Sequence, residues 1–234
     1  MTYYDIHVEN TISQLGAGFV INDCYVEQAN NASAFCRFIN RGANGLIELV
    51  EASFININAI TSRGIDYNLY FQRDFIVADR NLNLEFDLRV SRLLENNFIF
   101  RDSEDDIAGT PVVPEWEGTS VVVATYGRFR FNWRANYIHG EEDDPGDFFV
   151  GAPCATLQVM CRPIARTDSY WTHNASITWI PRDWEISMGI VNVFDEEPPL
   201  MDNGAPGVQL NNIPLGAGYD LLGRRAFLLV RRQF

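Results

Sequence analysis

Apolar and polar positions alternate with a period of two through most of the chain. The pattern is cleanest where Phe129, Phe131, Trp133, Ala135 and Tyr137 interleave with Arg128, Arg130, Asn132, Arg134 and Asn136. Successive side chains of a strand point to opposite faces, so this segment predicts a strand with one apolar and one strongly polar face. The same rhythm predicts strands through Ile65, Tyr67, Leu69 and Phe71, and through Leu82, Leu84, Phe86, Leu88 and Val90, the latter opposed by Asn83, Glu85, Asp87 and Arg89. It recurs at Ala175, Ile177 and Trp179 and at Trp184, Ile186, Met188 and Ile190. Weaker alternation at Tyr3 to Glu9, Glu117 to Tyr126 and Leu222 to Phe234 brings the total to about eight strands, each near the ~9 to 11 residues of a tilted membrane strand. One short helix is expected near Thr11 to Ile21, inside a loop.

The connections alternate between short and long. Arg73 to Asn81, Tyr126-Gly127 and Pro181-Arg182-Asp183 are short; Thr11 to Ala52, Arg101 to Glu115, Gly140 to Asp168 and Asp195 to Gly218 are long. In an antiparallel meander alternate connections lie at opposite ends, so all long loops share one end, as in outer-membrane barrels. A soluble β-sandwich has the same alternation, because a strand with one buried face reads alike against another sheet or against lipid. Aromatic residues near strand ends favour the membrane: Trp171 with Trp179, Trp184 with Phe194, and Phe129 with Tyr137 sit where interfacial girdles belong. Arg128, Arg130 and Arg134 share a face, and facing lipid at the midplane would cost ~2 to 4 kcal/mol each, which assigns that face to the lumen.

Composition narrows the function. With 47% hydrophobic residues, the chain is expected to fold. Its formal charge of -13 argues against a nucleic-acid partner. All 18 basic residues are Arg, which removes Schiff-base and P-loop lysine chemistry. No apolar stretch approaches the ~18 to 20 residues of a spanning helix. The N-terminus has neither the basic nor the apolar region of a signal peptide, so the chain is expected to be cytosolic or a piece of something larger. No internal repeat or low-complexity linker marks a domain boundary, and residues 1–234 are expected to form one unit.

Chemistry-bearing residues are few. The lumen-facing candidates Glu85, Asp87, Arg89, Arg128, Arg130 and Arg134 either line a substrate path, hold another domain by ion pairs, or form the polar interior of any wet barrel. The acidic stretches Glu141 to Asp147 and Asp102 to Asp106 lack EF-hand spacing and read as solvated loop charge rather than Ca²⁺ sites. His7, His139 and His173 are scattered, and neither a metal site, a cofactor site nor a catalytic constellation is expected. Four cysteines fall as two close pairs, Cys24 with Cys36 and Cys154 with Cys161, although three connectivities are formally open. Neither pair is a C-x-x-C, so structural loop disulfides of an oxidising compartment are expected.

Several segments resemble the TonB-dependent outer-membrane receptors. Tyr219-Asp220-Leu221-Leu222-Gly223-Arg224-Arg225-Ala226-Phe227, ending at Phe234, resembles the family's last strand. Thr61-Ser62-Arg63-Gly64-Ile65-Asp66, Asn132-Trp133-Arg134-Ala135-Asn136-Tyr137 and Gly189-Ile190-Val191-Asn192-Val193-Phe194-Asp195 resemble upstream strands, in the family's order. Asp23-Cys24-Tyr25 with Phe35-Cys36 resembles an extracellular loop of one branch. The resemblance implies an all-β fold: an antiparallel up-and-down transmembrane β-barrel segment, the C-terminal part of a barrel of about 22 strands. It implies a plug domain, the remaining strands and a TonB-contacting box that this chain does not supply. The implied partners are the plug, the TonB energy-transducing complex, the assembly machinery and the lipid bilayer of the bacterial outer membrane. Phe234 becomes part of the assembly signal, beside Arg232 on the lipid side where the family usually has an aromatic. The implied activity is uptake of a scarce ligand such as a ferric siderophore, a vitamin or a saccharide. A self-contained eight-stranded barrel with a structural or adhesion role is the alternative, followed by a soluble binding module and, last, an enzyme.

Overall fold

The period-two segments form strands that hydrogen-bond in chain order. In the computed structural model these are β1 (Thr2–Glu9), β2 (Ala59–Val77), β3 (Arg80–Phe100), β4 (Trp116–Tyr126), β5 (Phe129–Ile138), β6 (Tyr170–Trp179), β7 (Trp184–Val191) and β8 (Arg225–Arg232). They make one path from β1 to β8, with Ser103–Asp106 as a short extra strand on β3. The structure describes residues 1–14, 16–27, 33–52, 54–56, 59–100, 103–110, 113–140, 149–150, 161–162, 167–201, 208–210 and 213–232. Every ladder from β3 to β8 is antiparallel. Among the described residues no ladder joins β1 to β8, so the sheet is open, as expected of a segment of a larger barrel and unlike a small closed one. The chain is all-β apart from short helical turns, and none of its described helices is long and apolar enough to cross a membrane.

The first short turn is tighter than its sequence suggests. Arg73 to Asn81 reads as a loop because it is polar, yet β2 and β3 run 19 and 21 residues and are joined by Ala78 and Asp79 alone, both at positive φ (47° and 59°) as a two-residue hairpin needs. The polar residues belong to the ladder: Asn81 and Asn83 both donate to Asp74 Oδ1, at 3.2 and 2.9 Å. The β4–β5 turn is Gly127 and Arg128, with Gly127 at φ 60°. Tyr126 Oη donates to Val77 O at 3.1 Å and Ile180 N to Arg128 O at 2.9 Å, which brings all three short turns to one end. The strand ends Ile138, Tyr170, Val191 and Arg225 therefore lie at the other.

The chain packs as two compact units, one of residues 1–5, 62–96 and 106–234, which holds most of the sheet, and one of residues 6–61 and 97–105. The insertion between β1 and β2 is long enough to bury a core of its own. That core is Val20 and Phe35, flanked by Phe19, Phe38, Ile39 and Val50. The helix expected near Thr11 to Ile21 is Ala17–Asn22, continued by a π-helical turn at Asp23–Glu27 and a 3-10 turn at Ala34–Phe38. A Cys24–Cys36 disulfide staples the turns, and Ser33 Oγ donates to the buried Asp23 carboxylate.

Candidate functional site

Register fixes which side chains share a face. Asp87, Val121, Arg134 and Asn174 form one row across β3, β4, β5 and β6, and Arg89, Thr119, Asn136 and Thr172 form the next row on the same face. The second row is hydrogen-bonded: Thr119 Oγ1 donates to Asn136 Oδ1 at 3.2 Å, and Asn136 Nδ2 to Thr172 Oγ1 at 3.1 Å. Ser91 Oγ donates to Asp66 at 2.8 Å, placing β2 in the same polar surface. A cavity of about 780 Å3 opens on it, with Asp66, Glu85, Asp87, Glu117, Arg89 and Arg134 among its lining residues. Arg89 grips Asp87 with two 3.0 Å hydrogen bonds, so one of the two guanidiniums is already matched by a carboxylate.

Four of the lumen-facing candidates, Glu85, Asp87, Arg89 and Arg134, are gathered by this cavity. Arg130 lies on the same face, opposite Thr125 and Thr178, but outside the cavity lining. Arg128 occupies the β4–β5 turn instead of a strand position, because the left-handed Gly127 opens a two-residue turn and the next strand starts one residue later than alternation alone indicates. Phe234, Cys154 and the acidic stretch 141–147 lie outside the described residues. Asp106, counted as loop charge, accepts the backbone N–H of Asn96 and Ala108 at 3.0 and 2.9 Å and so shapes the chain. Among the described residues no group of three or more His, Cys, Asp or Glu is placed to hold a metal ion.

The last long connection contributes residues that alternation could not place. Ala217 and Tyr219 pack on Ile138 and Tyr170, with Tyr219 edge-on to Tyr170 at 5.2 Å. Ala217 and Gly218 thereby join the cavity wall. The chain is held there from both sides: Asp220 accepts from Arg225 at 2.7 Å and from Leu222 N at 3.0 Å. Burial raises the Asp220 carboxyl, but these hydrogen bonds and the Arg225 charge outweigh it and leave the group below its ordinary value. Asn192, fully buried, accepts Glu196 N at 2.9 Å, donates to Glu196 O at 2.8 Å, and offers its own N–H to Asn174 Oδ1 at 2.9 Å.

The opposite face is apolar and uncovered. Thr178 and Ser187, 9% and 8% exposed, hydrogen-bond to each other at 2.8 Å on the polar face, while the neighbouring Ile177 and Met188, 43% and 55% exposed, pair on the other. This inverts the arrangement of a soluble sheet, whose apolar face is the buried one. Aromatic pairs bound the apolar band: Phe129 opposes Trp179 at the short-turn end, and Tyr137 opposes Trp171 eight residues along, with ring centroids 4.5 Å apart. Eight residues of strand span ~27 Å, about 20 Å of depth at barrel tilt, close to the ~25 Å apolar band of outer-membrane barrels. Trp133, His173 and Phe194 extend the outer aromatic group, and Arg232 stacks over Trp184 at 5.2 Å, so the cation expected on the lipid side rests on an interfacial ring. β8 is the exception, apolar on both faces, with Phe227 and Leu229 opposite Gly189 and Ser187.

An open antiparallel sheet with one lipid-compatible face, aromatic borders and one polar face carrying a cavity defines a segment of an outer-membrane β-barrel. The family model "TonB dependent receptor-like, beta-barrel" matches residues 1–193, and the chain belongs to that family. No curated protein and no solved structure matches it. The family consists of outer-membrane transporters and not enzymes, whose barrels work with a plug domain and with TonB.

Proposed function

We propose that this chain, residues 1–234, forms the C-terminal wall of a receptor that imports a scarce ligand, a ferric siderophore, a vitamin or a saccharide, across the bacterial outer membrane with energy delivered through TonB. Family membership supports transport. The observation that carries the reading for this chain is its inverted burial, with Ile177 and Met188 exposed and Thr178 and Ser187 buried on the cavity side. In this reading Glu85, Asp87, Arg89, Arg130 and Arg134 face the lumen, where they meet cargo or the plug, and the remaining strands pair with the free edges of β1 and β8. Phe234 acts as the signal handed to the assembly machinery, and the Cys24–Cys36 disulfide holds an external loop. The test is uptake of labelled ferric complexes, cobalamin and oligosaccharides by cells that produce the receptor, with and without an intact TonB complex. Uptake of one cargo that needs both is expected. Uptake that persists without TonB overturns the reading.

A further inference from the structure

The short-turn end of the sheet carries a row of arginines. Asp66, Asn68 and Tyr70 line the cavity, so the odd-numbered residues of β2 lie on the apolar face. Arg73 is one of them, its guanidinium 5.6 Å from the centre of the Phe75 ring. Arg80 lies on the same face, two residues before Leu82, which opposes Tyr126. Its guanidinium reaches the next turn and stands 3.8 Å from where a Cβ on Gly127 would be. Arg128 follows, and its carbonyl accepts Ile180 N at 2.9 Å, which brings up the Pro181-Arg182-Asp183 turn. Trp184 closes the series, opposed by Arg232, whose guanidinium lies over the ring. Five exposed arginines thus follow one another along the border that Phe129 and Trp179 mark.

The protein does not match these charges itself. Among the described residues, Arg73, Arg80, Arg128 and Arg182 have no carboxylate at ion-pair distance. Asp79 and Asp183 share the turns with them, whereas Asp74 is held on the cavity face by Asn81 and Asn83, and Glu185 meets Arg231 on that face. At the other end of the sheet the arginines are matched: Arg63 by Glu95, Arg92 by Glu115, Arg224 by Asp195 and Arg225 by Asp220. The whole chain carries a formal charge of -13, so an unmatched basic arc at one end is a local feature, complementary to an anion outside the chain.

We propose that this arc binds the phosphates of anionic phospholipids in the membrane leaflet at the short-turn end. Position selects the partner. The arginines stand just beyond the apolar band, at the depth of lipid phosphates, and their stems can lie along apolar surface while the planar heads take phosphate oxygens two at a time. A cation near an anionic bilayer surface strengthens attachment by about fivefold, and cations spread over successive turns meet several headgroups at once, which a single soluble ion cannot do. Short turns of outer-membrane barrels are periplasmic, which makes this the periplasmic leaflet. The inference rests on the transmembrane reading and is independent of the cargo.

Native mass spectrometry of the intact receptor containing this chain tests it, with phosphatidylglycerol and phosphatidylethanolamine of the same acyl chains added to the detergent-purified protein. The receptor is expected to retain phosphatidylglycerol about tenfold better than phosphatidylethanolamine. The triple variant Arg80→Gln, Arg128→Gln, Arg182→Gln should bring that ratio down to about one to two. Removing the same charge at the other end, by Arg63→Gln, Arg92→Gln and Arg224→Gln, should leave it unchanged. Both variants should keep the wild-type heat-modifiable mobility, and excess inorganic phosphate should not displace the lipid. No preference in the wild type, a preference that survives in the folded triple variant, equal loss in both variants, or displacement by phosphate overturns the lipid site. A receptor that inserts into phosphatidylglycerol-containing vesicles without this preference sinks the inference alone, whereas one that inserts into no vesicle sinks the transmembrane reading beneath it.

Discussion

Asp195 and Arg224 close the last long connection on itself. The Asp195 carboxylate accepts the backbone N–H of Arg224 at 2.8 Å and reaches its guanidinium at 3.5 Å, across 29 residues of sequence. Gly223, at φ 66°, leaves just enough room, since a Cβ there would stand 3.2 Å from Asp195 Oδ1. The two segments that most resemble the receptor family, Asn192-Val193-Phe194-Asp195 and Gly223-Arg224, are thus the two halves of one clamp.

Removing the clamp should loosen the connection without unfolding the sheet. Both side chains are about half exposed, so the ion pair itself contributes little, and the hydrogen bond to the Arg224 N–H carries the effect. Asp195→Ala is expected to cost about 1 kcal/mol locally, a roughly fivefold rise in amide exchange over the described parts of 196–224. Unchanged exchange there, or equal acceleration in β3 to β5, would contradict a local clamp.

Much of this was legible beforehand and some was not. Alternation places Ile177, Met188, Glu85, Asp87 and Arg134 on their observed faces because a strand has only two faces to choose from. It misplaces Arg128, where a left-handed glycine resets the phase, and it reads Asp74 and Asn81 as loop when they join Asn83 in one side-chain network. Asn136 reads as a polar-face residue but no charge distinguishes it, and Thr172 lies before the stretch where alternation is clear. The packing of Tyr170 on Ala217 and Tyr219 has no signal in the alternation, because what a long connection folds onto depends on contacts far away in sequence. The same holds for the separate core of Val20 and Phe35.

Acidification should release the in-folded segment. The Asp220 carboxyl sits below its ordinary value of 3.8 in the folded chain, so its contribution is complete above about pH 4 and is lost as pH falls through the lower folded value. Proteolysis or exchange of residues 216–224 is expected to rise steeply below pH 4, while Asp220→Asn should open this segment at neutral pH and flatten the pH dependence. A wild-type profile that stays flat down to pH 2 would remove the Asp220–Arg225 bond from the account.

Close packing at one glycine should control pairing of the last strand. A Cβ on Gly189 would stand 2.6 Å from the Phe227 ring and 2.7 Å from the Ala175 carbonyl oxygen, and the second is backbone. Gly189→Ala is expected to cost about 1 to 3 kcal/mol and to reduce heat-modifiable, assembled receptor. Adding Phe227→Ala should recover only part of the loss, since the clash with the carbonyl remains. Full recovery by the double variant would show that the ring alone sets the limit.

The direction of the two faces can be read from charge tolerance. Met188 is exposed on the apolar face near the middle of its strand, and Val123 faces the cavity on the polar one. If the apolar face meets lipid, Met188→Arg should destabilise the folded barrel by about 2 to 4 kcal/mol, the cost of a cation near the bilayer midplane. Val123→Arg projects into a wet cavity beside Glu85 and should change stability by less than about 1 kcal/mol. Denaturant unfolding of both variants in lipid vesicles makes the comparison. The wild-type chain, whose apolar face is uncovered, should correspondingly aggregate in water and become monodisperse only in detergent or lipid. Equal tolerance of the two substitutions, or a monodisperse chain in buffer alone, would mean that the apolar face is covered by protein and not by a membrane.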